Sequence, residues 1–368
     1  MEEATSAAHV TRARSDAVQR VLDQAVTEGG VPGVLARVRD LGGHRYATAG
    51  VADTRTRRAR RPEDRFRIGS ITKTFVATVV LHLVADGRLA LEDTVERWLP
   101  GVVTGNGHDG TRITVRQLLD HTSGVFSHTA DQPALSRQES YTPEELVAIA
   151  MAHPADFPAG TGWAYSNTNY VLAGMIVERV TGRPLADEIA DRLARPLGLT
   201  GTSLPRGADP LLPAPHARHY TKLFSPDPDA PVYDVTELEP SPYGAAGGMI
   251  STAADLDGFF TALLGGHLLP PEQQREMFTV VPTEGWLPGA AYGLGVSRLT
   301  LPSGTGVWGM GGALFGSWSY VYGTREGTHL LAVNVNADWA TGPWEDPVGI
   351  FTDLLEAEFG RGADAGTP

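Results

Sequence analysis

Apolar positions change their period along the chain, and each change marks an element. Residues 16–28 carry Val18, Val21, Leu22, Ala25 and Val26 on one helical face, closed by Gly29-Gly30. Two short apolar runs, Val34–Arg39 and Arg45–Val51, flank Gly42-Gly43 and predict a β-hairpin. From Ser70 to Asp86 the positions Phe75, Val76, Val79, Val80, Leu83 and Val84 predict a strongly apolar helix that stops at Gly87. Thr142-Pro-Glu-Glu145 combines an N-cap, a first-turn proline and a capping-box glutamate. Helices are predicted over Asn169–Thr181 and Pro184–Leu193, and another after Ser251 or Thr252, bearing Leu256, Phe259, Phe260 and Leu263. Residues 205–242 hold nine prolines without lasting periodicity and predict a long ordered loop.

After residue 290 the period becomes two. Tyr292–Arg298, Gly306–Gly309, Ser317–Tyr322 and His329–Asn336 predict antiparallel strands with a turn at Gly323–Gly327, and a last helix runs from about Pro347 to Phe359. The expected fold class is α+β, an α/β sandwich: an antiparallel sheet flanked by N- and C-terminal helices, with an all-helical insertion domain. Residues 16–75 and 285–362 would form the sheet domain and 76–284 the mainly helical one, with 1–15 and 363–368 as flexible termini.

Composition narrows the function. The formal net charge is −13, unsuited to nucleic acid or an anionic membrane, and the arginine cluster at 55–61 reads as a solvated loop. With no cysteine there is no disulfide, thiolate ligand or cysteine nucleophile. His216-Ala-Arg-His219 has ligand-like spacing but lacks a third ligand, so neither metal nor cofactor is expected. Gly304-Thr-Gly306-Val-Trp-Gly309 spells a dinucleotide fingerprint, yet among predicted strands it opens no helix. The acidic start and the lack of any run of about 20 apolar residues give a cytoplasmic expectation without a membrane partner.

Of 30 cationic side chains only two are lysines, Lys73 and Lys222, so a lysine invites the question of what arginine could not do there. Lys73 stands one helical turn after Ser70, within hydrogen-bond reach of its hydroxyl. A serine hydroxyl needs a neighbouring base, and a desolvated lysine can be one whereas arginine stays protonated. A second candidate lies in Tyr165-Ser-Asn167, where a phenol can relay a proton to a leaving group and an amide can hold a substrate carbonyl or the lysine.

Asp64-Arg-Phe-Arg-Ile-Gly-Ser70-Ile-Thr-Lys73, Ile113-Thr-Val-Arg-Gln-Leu-Leu-Asp-His-Thr-Ser-Gly124, Tyr165-Ser-Asn-Thr-Asn-Tyr170 and Tyr292-Gly-Leu-Gly295 together resemble the serine penicillin-recognising family. That family includes DD-peptidases, class C β-lactamases and related esterases and acyltransferases. The similarity runs from about residue 16 to 360 and is strongest to exocellular DD-carboxypeptidases of the Streptomyces type. It implies an α/β domain built from both chain ends around a helical domain. It also implies Ser70 as acylated nucleophile, Lys73 as its base or proton partner, Tyr165 as second acid/base and Asn167 as a positioning group. The backbone N–H groups of Ser70 and Ala313 would form the oxyanion hole, and His121 would shape a turn beneath the site.

The chain departs from the family at the third motif, Lys or His, then Thr or Ser, then Gly. Here the stretch is Val307-Trp308-Gly-Met310-Gly311-Gly312-Ala313. Met310 takes the cationic position, Gly311 the hydroxyl position, Ala313 the place of a second hydroxyl, and Ser297 that of an arginine. By this resemblance these residues, with Trp308 and Gly312, line the substrate side, where the peptidases clamp a terminal carboxylate. Losing one charge-assisted contact costs about 1.5–3 kcal/mol, so carboxypeptidase action and efficient β-lactam hydrolysis are not expected. The expected function is a serine acyltransferase of natural-product biosynthesis, moving an acyl group from a small-molecule donor to an amine or alcohol acceptor. Alternatives are an esterase or peptidase with water as acceptor, and a non-catalytic ligand-binding relative. Trp286, Trp308, Trp318, Trp339 and Trp344 could line an apolar acceptor pocket or pack in the core.

Overall fold

A computed structural model of the chain describes residues 2–131, 140–225, 227 and 229–360. Among these, nine strands form one antiparallel sheet, in the order Val281–Pro282, Ala290–Tyr292, Ser297–Thr300, Gly306–Leu314, Ser317–Gly323, Leu330–Val335, Gly33–Asp40, Gly43–Asp53, Arg58–Ala59. The two chain ends meet where Gly33–Asp40 pairs with Leu330–Val335, with Ala36 opposite Val333. The sheet therefore cannot close until both ends are made.

Both faces of that central pair are covered, which is why all six residues of Leu330–Val335 are buried. Leu35, Val321, Leu330 and Ala332 face a core shared with the helices of the middle segment. Their alternates Val34, Ala36, Val38, Leu331, Val333 and Val335 face a second core under the helices Glu2–Thr27 and Pro347–Phe359. Burying each such valine or leucine contributes about 1.5–3 kcal/mol, so the two cores dominate the energetics of the sandwich.

The structure revises several expectations. The first helix starts at Glu2, so residues 1–15, expected as a flexible terminus, continue it from that point; residues 363–368 lie outside the described residues. The predicted strand Tyr292–Arg298 is two strands, because Gly293 N–H bonds back to Val296 O in a tight turn. The strand expected at Gly306–Gly309 runs on to Leu314 through glycines that carry no alternating signal. The helix expected over Pro184–Leu193 is Leu185–Ile189, continued as a π-helical turn at Ala190–Ala194.

The helix Ala253–Leu264, grouped with the insertion by the sequence, instead packs on the sheet at Gly33–Asp40 and Leu330–Val335. Thr252 caps it, and Asp257 accepts from both Arg37 and Arg39 at 2.7 Å. The arginine cluster is not wholly solvated either. Arg60 is buried against Asn334 Oδ1 (2.8 Å), and burial lowers its pKa to about 10. The capping box at Thr142 and Glu145 forms as expected.

Candidate active site

Ser70 lies in a single 3₁₀ turn, Gly69–Ile71, that opens the buried helix Thr72–Ala85. Gly69 has φ of +52°, and a Cβ there would come within 2.7 Å of Ala313 N. Gly312 is equally constrained: its Cβ would strike Ile68 O and stand 2.8 Å from Ser70 N. These two glycines let the backbone of Gly306–Leu314 approach Ser70 this closely. The approach sets the Gly312–Ala313 backbone against that of Gly69–Ser70, with Ser70 and Ala313 both at the wall of the cavity.

Lys73 has no solvent exposure. Its Nζ is 3.0 Å from Ser70 Oγ, 2.7 Å from Asn167 Oδ1 and 2.7 Å from Ala246 O. Burial holds its pKa well below the ordinary ammonium value. A neutral amine has two N–H groups and one lone pair. The amide oxygen and the carbonyl can only accept, so they take both N–H groups. In that neutral form the remaining lone pair is left for Ser70 Oγ, whereas the protonated nitrogen donates to all three oxygens. This is the geometry of a general base for serine.

Tyr165 sits on the other side of that pair, with Lys73 Nζ 4.7 Å from its ring centre. Burial pushes its phenol above the usual range, and a hydrogen bond with Ser70 opposes the shift without cancelling it. The phenol thus stays protonated and is suited to give a proton to a leaving group. Its ring stacks on Trp286 at 5.8 Å and leans on His121 at 4.4 Å. His121, buried with φ of +65°, accepts at Nδ1 from Ser166 N–H (3.2 Å) and from the Asn169 amide (3.1 Å). It therefore braces the turn that carries Tyr165 and Asn167. Asn167 in turn donates to Thr129 Oγ1 at 2.8 Å, which orients its oxygen toward Lys73.

Ser70 opens into a cavity of about 210 Å³, also lined by Thr129, Asn167, Phe224, Glu239, Tyr243 and Phe315 among others. The comparisons place this site in a family. The sequence matches the model of the family described as Beta-lactamase over residues 18–341. The chain belongs to the beta-lactamase family. Esterase EstB of Burkholderia gladioli is 38% identical over 201 residues, covering 51% of this chain and 50% of EstB, so the match spans half of that relative's length. Among solved structures, a D-stereospecific amidohydrolase from Streptomyces sp. is 47% identical with a TM-score of 0.84, covering 94% of this chain and 98% of its own. The D-amino acid amidase of Ochrobactrum anthropi SV3, complexed with L-phenylalanine amide, is 30% identical with a TM-score of 0.82 and the same two coverages. As a member of the beta-lactamase family this chain is a serine hydrolase-type enzyme.

Four residues expected on the substrate side of this beta-lactamase-family site are elsewhere. Ser297 is fully buried, bonded to Tyr322 Oη at 2.7 Å and to Gly309 O at 3.2 Å. Gly311, opposite Tyr320, lies against that ring, which itself stacks on Phe351 of the outer core. Met310 has no exposure and belongs to the inner core. Trp308 packs edge-on against Phe278 at 5.3 Å. The physical reason is strand parity: neighbouring residues face opposite layers, and both layers are filled. Of the third-motif residues only Ala313 is on the cavity wall, with Gly312 acting through its missing side chain.

The tryptophans divide. Trp286 stacks on Tyr165 and Trp318 lies 6.2 Å from Phe224, while Trp339 and Trp344 are core. Sequence reasoning missed Ala246, whose only contribution is a carbonyl, and Phe224, which sits in the proline-rich loop where no period marks it.

Proposed function

We propose that this chain is an acyl-enzyme amidohydrolase that takes amides or esters of D-amino acids and passes the acyl group to water, amines or alcohols. One observation carries the reading: Lys73 Nζ, buried and with its pKa lowered by that burial, stands 3.0 Å from Ser70 Oγ beside a cavity that no cation lines among the described residues. Such a site acylates readily and has no clamp for a terminal carboxylate. Two aromatic faces, Phe224 and Phe315, with ring centres 4.8 Å apart, suit an apolar side chain. The names of the two similar solved enzymes support a D-amino acid amide as donor.

Acylation would begin with proton transfer from Ser70 Oγ to Lys73 as Oγ attacks the carbonyl. The oxyanion would rest on the Ser70 and Ala313 amides, and Tyr165 would protonate the departing amine. A second reading, a dedicated transferase of natural-product assembly, draws on the apolar lining, which disfavours water as acceptor. The test uses D- and L-phenylalanine amide and methyl ester, with and without a primary amine, following the acyl-Ser70 mass and the products. An acyl adduct lost in Ser70→Ala supports the reading, and faster transfer than hydrolysis supports the second one. No adduct from any donor, or a preference for the L series, overturns the D-amino-acyl proposal.

A further inference from the structure

The cavity that holds Ser70 has one charged side chain among its described lining residues, Glu239. Its Oε1 accepts the Ser241 N–H at 3.0 Å, which fixes the carboxylate within its own turn. Glu239 makes no ion pair among the described residues. The buried Arg67 feels Asp209, Tyr243 and Glu239 electrostatically, and its Nη2 donates to Pro210 O at 2.5 Å. The rest of the lining is apolar or neutral, including Leu238, Pro242, Ala246, Leu314 and Phe315.

A carboxylate in a half-enclosed apolar cavity repels a substrate carboxylate and attracts a cation more strongly than it would in open water. We infer that Glu239 is a specificity residue that binds the protonated α-amino group of the acyl donor, so the substrate class is a free-amine aminoacyl amide or ester rather than an N-acylated one. This rests on the aminoacyl-donor reading above. The ammonium would sit between Glu239 and the acyl carbon on Ser70, with the side chain directed toward Phe224 and Phe315. No covalent step is added; Glu239 acts before and during acylation through charge alone.

The experiment compares D-phenylalanine methyl ester, its N-acetyl derivative and methyl 3-phenylpropionate, which lacks the amine, in the full-length wild type, Glu239→Gln and Glu239→Asp. In parallel, D-phenylalaninol and 3-phenylpropanol compete with fluorophosphonate labelling of Ser70, a readout independent of turnover. The wild type is expected to favour the free amine by about tenfold or more in kcat/KM and in protection. Glu239→Gln should abolish that preference, lowering the free-amine ester far more than the amine-free one, and Glu239→Asp should keep it. A preference unchanged in Glu239→Gln, or equal losses on all three esters, overturns the assignment. Ester turnover with no turnover of any amide would sink the amidohydrolase reading alone, since the Glu239 comparison stays readable on the esters and in the labelling.

Discussion

Ala246 and Lys73, 173 residues apart in sequence, are joined by a 2.7 Å hydrogen bond from Nζ to the Ala246 carbonyl. When Lys73 is neutral, that carbonyl and Asn167 Oδ1 take its two N–H groups and its lone pair is left for Ser70. Lys73→Arg keeps a cation but cannot give up its proton. Acylation by an activated ester is expected to fall about 10²–10⁴-fold. Lys222→Arg, at the outer Trp339 contact 5.4 Å away, should leave acylation within about twofold. Stopped-flow burst rates for both variants decide it: equal rates would remove Lys73 from the role of base.

The pH profile follows from the same burial. Lys73 must be neutral to act, and its pKa is lowered, so kcat/KM should rise with pH and reach its plateau well below the ordinary lysine value of about 10.4. Tyr165 is shifted upward by burial and stays protonated across that range, contributing no ascending limb. The buried imidazole of His121 is pushed down by burial and by Lys73, so it stays neutral there too. Tyr165→Phe should therefore lower the rate and keep the position of the limb. A limb that moves by a full pH unit in Tyr165→Phe would assign it to the phenol or to the coupled pair.

Gly312→Ala tests the oxyanion hole. The added methyl meets Ile68 O and the Ser70 amide, neither of which can swing away like a side chain. The strand must retreat from Ser70, taking the Ala313 N–H with it. Loss of one such donor costs about 10²–10³ in kcat. Steady-state rates and the melting temperature should both fall. Unchanged kcat in a folded variant would show that Ala313 N–H is not used.

The contact between Ser70 and Lys73 was legible because they are three apart across one helical turn, and lysine is rare in this chain. The sheet was legible from both ends because short apolar runs recur there between glycine-marked turns. What was not legible is which layer each strand residue faces. Met310 and Gly311 lie beyond the predicted strand Gly306–Gly309, where glycine-rich sequence carries no period to set parity; Met310 and Ser297 are buried and Gly311 lies against the Tyr320 ring, so none of the three lines the cavity. The placement of Ala253–Leu264 on the sheet was equally hidden, since an apolar helical face does not say which surface it covers. Glu239 and Phe224 come from a segment without periodicity, so only the folded chain brings them to Ser70.

Asp257 carries the last prediction, about how the sheet is held to the helix above it. Its side chain is 1% exposed and accepts from Arg37 Nε at 2.7 Å and from Arg39 Nε at 2.7 Å and Nη2 at 2.9 Å. Arg37 is 8% exposed and also donates to Tyr46 Oη at 2.7 Å, whereas Arg39 is one-third exposed and water can solvate it. Removing the carboxylate leaves Arg37 as an uncompensated buried charge, which typically costs about 3–5 kcal/mol. Arg39→Ala removes only the solvated partner and should cost about 1 kcal/mol or less. Urea denaturation of Asp257→Ala and Arg39→Ala therefore should differ by several kcal/mol. None of the three residues lines the Ser70 cavity, so fluorophosphonate labelling of folded Asp257→Ala should keep the wild-type rate. Equal destabilisation by the two variants would mean that burial of Arg37, and not the pair as such, has been misjudged as the controlling term.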